Sequence, residues 1–201
     1  MTDLPQTRAT LVLRLRDRTD SDAWNDFAHD YGPMLYRFVR SRGLQDADAS
    51  DLVQEDMRSV GMAIDRLDYA KEKGGFRAWL FTITRNKLSS FFQKRQRIGP
   101  TGNDTAQLEL LQQASDGRNE LEEEWEVEFQ RQLAARAMES LKPTIEPKTW
   151  AAFELTAIQG LPADIAGEQI GLSKGAVYVA RSRVTAKLRA EIERLMLENE
   201  A

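Results

Sequence analysis

Between Phe76 and Arg97, six bases (Arg77, Arg85, Lys87, Lys94, Arg95, Arg97) and five aromatic rings share 22 residues without one acid. Rings spaced among cations suit unpaired bases, which stack on the rings while their backbone meets positive charge. At helical spacing about half of such rings fill a core instead. The polar, Gly-ended run Asp68–Gly75 just before it has the make-up of a pocket for one extruded base, bound and not chemically altered. A second acid-free run, Leu172–Arg189, carries Lys174, Arg181, Arg183, Lys187 and Arg189. Its chemistry is contact with duplex phosphates and base edges, which an acid in the same place would repel.

Acids are segregated as sharply as bases. Leu44–Met57 holds Asp46, Asp48, Asp51, Glu55 and Asp56 with no base, and Ile98–Gln130 holds nine acids against Arg118 alone. The net charge of −4 over 201 residues therefore hides blocks of +6 and +5. Phosphate contacts are local and screening ends within about 10 Å, so the blocks matter more than the sum. Carboxylates along one exposed helix, without a pocket or a metal partner, do not make a hydrolytic site. One histidine (His29) and no cysteine exclude a two-histidine metal centre, thiol chemistry and disulfides. With no Gly-rich phosphate loop either, the reading is a non-enzyme with no catalytic residue, no metal and no cofactor. No apolar run reaches the roughly 20 residues of a membrane span, and Met1–Pro5 lacks the order of a signal peptide. A cytoplasmic protein without membrane insertion is expected.

The elements that would position these residues are helices throughout. Asp20 and Ser21 can cap a helix bearing Trp24, Phe27, Ala28 and Tyr31. Gly32-Pro33 punctuates it, with Pro33 suited to the first position of the next, which carries Leu35, Phe38 and Val39. A third begins near Asp46, with Val53, Met57, Val60, Ile64 and Leu67 on its apolar face. The basic-aromatic helix follows, with Phe76, Trp79, Leu80, Ile83 and Phe91 on one side. Residues 98–120 read as a linker with turn chemistry, carrying one turn of helix near Leu108–Leu111. Helix resumes near Glu120, where Leu121, Trp125, Phe129 and Leu133 recur every four residues. Pro147 then opens a helix with Trp150, Phe153 and Ala157.

Pro162–Arg189 is the most specific local pattern. Pro162 opens a short helix with Ala163, Ala166 and Ile170 inward, Gly171-Leu172-Ser173 turns, and Ser173 caps the next helix. That helix turns Val177, Ala180, Val184 and Leu188 inward, with Lys174, Tyr178, Arg181 and Ser182 towards the other side. Gly167, four positions before Gly171, stands where a helix-turn-helix needs close packing, at up to about 1 kcal/mol of helix propensity against Ala. The second helix of such a unit enters the major groove.

Together these features resemble the extracytoplasmic-function (ECF) class of bacterial RNA polymerase sigma factors, over about residues 10–195. Three segments carry the resemblance: Asp51-Leu-Val-Gln-Glu55, Phe76-Arg-Ala-Trp-Leu-Phe-Thr-Ile-Thr-Arg-Asn-Lys-Leu88 and Leu172-Ser-Lys-Gly-Ala-Val-Tyr-Val-Ala-Arg-Ser-Arg-Val184. Asp56 and Met57 depart from an apolar pair more usual in that family. The Thr7–Arg18 helix, the Val-Tyr-Val-Ala run and the turn after Arg42 are similar to a subgroup abundant in planctomycetes. The resemblance implies an all-α chain of two helical domains. Residues 7–97 would be sigma region two, 98–119 an acidic linker threading the RNA-exit path, and 120–197 region four with the helix-turn-helix. It implies that Asp48, Asp51, Leu52, Gln54 and Glu55 dock on core RNA polymerase. Tyr69, Lys71, Arg77, Trp79, Arg85, Asn86, Lys87 and Arg95 would take the minus-ten element. Ser173, Lys174, Gly175, Tyr178, Arg181, Ser182, Arg183 and Lys187 would read the minus-thirty-five element. The partners implied are core polymerase (clamp and flap regions) and promoter DNA, with an anti-sigma factor or other regulator as a further class. The alternative is a stand-alone dimeric helix-turn-helix regulator, which would bind symmetric half-sites without polymerase.

Overall fold

The computed structural model describes residues 8–67, 75–98 and 120–200. Among them there are eight α-helices and no strand: α1 (Arg8–Arg14), α2 (Ser21–Ser41), α3 (Asp46–Ala63), α4 (Gly75–Ile98), α5 (Glu120–Leu141), α6 (Pro147–Phe153), α7 (Ala163–Ile170) and α8 (Lys174–Glu200). They form two compact units, one taking in the described residues up to Gln132 and the other Leu133–Leu197. The Asp68–Gly74 part of the expected base pocket, the linker 99–119 and its expected helical turn lie outside the described residues.

In the first unit, α2, α3 and α4 enclose a core of Phe27, Met34, Leu35, Phe38, Val60, Ile64, Leu80, Leu88 and Phe92. Asp20 caps α2 as its type suggests, accepting from the Ala23 amide at 2.9 Å. Pro33, however, does not start a new helix. It lies inside α2, whose buried face runs on through Tyr31, Met34, Leu35 and Phe38. A proline lacks one donor and crowds the preceding turn, but the continuous apolar face outweighs that local loss. The Thr7–Arg18 helix is also shorter than expected, ending at Arg14. Asp17 instead accepts from the amide and the hydroxyl of Thr19, a side-chain turn that competes with further helix.

The apolar faces of α3 and α4 are rotated from the expected ones. On α3 the inward positions are Ala49, Leu52, Asp56 and Val60, with Val53 and Met57 half-buried. On α4 they are Phe76, Leu80, Thr84, Leu88 and Phe92, an unbroken four-residue series, with Phe81 beside it. Trp79, Ile83 and Phe91 sit at the flank, half-buried. At 3.6 residues per turn a strict four-residue series drifts by about 40° per step, so the buried stripe winds around α4 instead of running straight along it.

In the second unit, Glu146 caps α6 by accepting from the amides of Lys148 and Thr149, which hold its carboxyl below the usual range. One wider π turn, Glu154–Ile158, follows α6. Ala157 is exposed there rather than inward. Thr156 takes the buried place, its hydroxyl satisfied by the Ala152 carbonyl at 2.6 Å.

Candidate nucleic-acid and partner interfaces

The helix-turn-helix is built by small residues. Ala152, Ala163, Ala166, Val177 and Ala180 form its buried centre, with Leu155, Leu161, Ile170 and Leu172 packed around it. Side chains this short let α7 and α8 approach closely. Gly171 ends α7 at φ 70°, the left-handed region glycine favours, and the Leu172 amide bonds back to the Gly167 carbonyl at 2.9 Å. A Cβ at Gly167 would stand 2.5 Å from the Leu172 carbonyl oxygen. The glycine is therefore dictated by the turn, and its helix-propensity cost is unavoidable here. Ser173 accepts from the Ala176 amide at 3.2 Å and starts α8.

Val177, Ala180, Val184 and Leu188 are buried, as their spacing predicts. All eight residues assigned to minus-thirty-five reading, Ser173, Lys174, Gly175, Tyr178, Arg181, Ser182, Arg183 and Lys187, are exposed. Lys174 pairs with Asp164 of α7 at 3.6 Å. Among the described residues no ion pair engages Arg181, Arg183 or Lys187. Nothing lies within 4 Å of where a Cβ of Gly175 would stand. Unlike Gly167, this glycine answers no need of the fold. Val179, which sequence reading left out, is an exposed apolar neighbour of Tyr178 on the same face.

The α4 residues assigned to minus-ten contacts are presented differently. Asn86 is exposed, while Arg77, Trp79, Arg85, Lys87 and Arg95 are partly buried. Trp79 packs against Phe76, ring centroids 5.5 Å apart. Arg77 pairs with Glu126 of α5 at 3.3 Å, and its guanidinium lies 4.6 Å from the Phe129 ring centre. Lys87 pairs with Glu55 of α3 at 3.4 Å. A residue expected to meet DNA thus touches one expected to meet a protein. Tyr69 and Lys71 lie outside the described residues, as does the side chain of Arg97.

On α3, Asp51, Gln54 and Glu55 are exposed and Asp48 is partly so. Leu52 is a core residue at 5% exposure, so it supports this face from beneath. Asp46 and Asp48 lie in the first turn, where carboxylates complement the helix dipole, and Asp46 pairs with Arg40 at 2.9 Å. Asp56, one of the acidic block and a departure from the more usual apolar pair, does not share the exposure of its neighbours. It is fully buried, and neither carboxyl oxygen has a hydrogen-bond partner. Burial pushes its pKa up to about 7, against the lowering pull of Thr84 and Lys87. The Thr84 hydroxyl is itself committed to the Leu80 carbonyl at 3.1 Å.

A family model for sigma-70 region 2 matches residues 27–98, from α2 to the end of α4. RNA polymerase sigma factor CnrH of Cupriavidus metallidurans is 29% identical over 175 residues, covering 85% of this chain and 87% of that protein. The region-two match and the similarity to CnrH support a bacterial sigma factor of the ECF class. As a sigma factor it serves transcription initiation and promoter recognition. The region-two match encloses both the α3 acids and the α4 bases, which makes their contact through Glu55 and Lys87 internal to one sigma region. Among the described residues no helix is long and apolar enough to cross a membrane.

Proposed function

We propose that this sigma factor works as a non-enzymatic specificity subunit with three working faces. Asp48, Asp51, Gln54 and Glu55 of α3 dock on the clamp of core RNA polymerase. Arg77, Trp79, Arg85, Asn86, Lys87 and Arg95, with Tyr69 and Lys71 of the preceding loop, take the minus-ten element. The exposed turns of α8, from Ser173 to Lys187, read the minus-thirty-five duplex, which makes the α7–α8 unit the core of region four. The observation that supports this best is the division of α8. Four apolar positions are buried in its own unit, and every assigned reading position faces outward within the acid-free stretch Leu172–Arg189. Such a face complements a polyanion and nothing in the chain covers Arg181, Arg183 or Lys187 among the described residues.

The test is run-off transcription with core polymerase on promoters from its own host. The expected outcome is promoter-specific transcript that depends on added protein. Asp51→Lys with Glu55→Lys should reduce core binding at least tenfold while leaving the circular dichroism unchanged, because both side chains are exposed. Unchanged core affinity in that double variant places the docking face elsewhere.

A further inference from the structure

α5 begins as a strongly acidic helix, with Glu120, Glu122, Glu123, Glu124, Glu126 and Glu128 in its first nine residues. Its first turns belong to the same compact unit as α2 and α4. Leu121, Trp125 and Phe129, one helical turn apart, are buried there. The Trp125 ring lies against Phe38 of α2 and Phe81 of α4, with centroids 5.1 and 5.3 Å away. The glutamates on the two flanks of this apolar stripe meet bases on both sides. On the α2 side Glu124 pairs with Arg42, and Glu128 accepts from Arg37 Nε at 2.7 Å. Gln132 accepts from the same guanidinium at 3.0 Å. On the α4 side Glu126 faces Arg77.

We propose that the first three turns of α5 form an acidic strap that occupies Arg77 in the free chain and must shift before α4 can grip nucleic acid. A carboxylate and an aromatic ring, both set against Arg77, offer it the same two chemistries as a phosphate beside a base. The strap therefore competes with DNA for the side chain it covers. Trp125 and Phe129 anchor it by burial, and Glu126 supplies the competing charge. This rests on the reading of Arg77 as a minus-ten contact, and the experiment separates the two.

The probe is a fluorescein-labelled oligo-dT 20-mer, titrated by anisotropy with the full chain and no polymerase at about 50 mM salt. Glu126→Gln should tighten binding about threefold more than Glu123→Gln, which removes equal charge from an exposed site on the same helix. In an Arg77→Ala background the extra gain should vanish. Equal effects of the two glutamine variants, or a gain that survives Arg77→Ala, overturns the strap. Promoter opening with core polymerase then tests Arg77 alone. If Arg77→Ala leaves opening intact, the minus-ten role of Arg77 fails, whereas a loss of opening with no Glu126 effect overturns only the strap.

Discussion

α4 and the opening turns of α8 carry nearly the same formal charge, +6 and +5, yet they present it in opposite ways. Along these opening turns, as far as Arg189, the bases stand in solvent, and only Lys174 meets a carboxylate among the described residues. On α4 the bases sit in a neighbourhood of acids. Arg77 lies on Glu126, Lys87 on Glu55, and the uncompensated Asp56 is buried beneath. Counting charges along a chain measures what a helix owns. What a helix offers to a partner depends on which neighbours have already answered those charges. A helix with exposed cations attracts any polyanion, while one with answered cations binds only when its partner outcompetes the acids.

The largest effect that would sharpen this contrast comes from Asp56. A carboxyl whose folded pKa is about 7, against 3.8 in an unperturbed chain, favours the protonated form when folded. Its stability contribution is complete below 3.8, declines as pH rises towards 7 and is level above it. Three pKa units at about 1.4 kcal/mol each make that loss on the order of 4 kcal/mol. Asp56→Asn, which has no proton to lose, should therefore be more stable than the parent at pH 8 and similar at pH 4. Urea denaturation at both values measures it. Parallel curves for the two proteins would mean that the carboxyl is not held uncharged between α3 and α4.

Next in size is the pair of arginines. Arg181→Ala should weaken minus-thirty-five duplex binding by about 1–3 kcal/mol, on the cognate sequence more than on others. Arg77→Ala should scarcely change single-strand binding by the free chain, because Glu126 already engages that side chain. Similar losses for both in competition titrations would break the distinction between answered and unanswered cations.

The smallest effect separates the two glycines of the helix-turn-helix. Gly175→Ala should stabilise the second unit by roughly 0.5–1 kcal/mol, since Ala favours helix and the space is open. It should weaken duplex binding nonetheless if α8 lies close to a backbone there. Gly167→Ala has the reverse cause and should destabilise, because the new methyl group meets the Leu172 carbonyl. Thermal melts together with duplex titrations distinguish the two.

Much of α8 is legible in the sequence, since a cap, a turn glycine and a four-residue apolar series are local signals that agree with one another. Ser173, Gly171 and the Val177–Leu188 face all stand where residue type and spacing put them. The α2 break at Gly32-Pro33 was misread because a local breaker was weighed without the core that holds both sides of it. The inward place of Asp56 is hidden in the charge block for a similar reason. Its type says exposed, and only the register of Leu52 and Val60 turns it inward. The pairing of Glu126 with Arg77 spans 49 residues and no local pattern encodes it.

The Arg37–Glu128 contact joins residues 91 positions apart. At about 5–20 residues per second, ribosomal synthesis of the intervening chain takes roughly 5–20 s. Helices fold in far less time than that, so α2 to α4 can assemble while α5 has yet to be made. For those seconds Phe38 and Phe81 lack the Trp125 ring that later lies against them. The youngest form of the molecule thus has an open apolar seam flanked by Arg37, Arg42 and Arg77, and the order of synthesis decides how long it stays open.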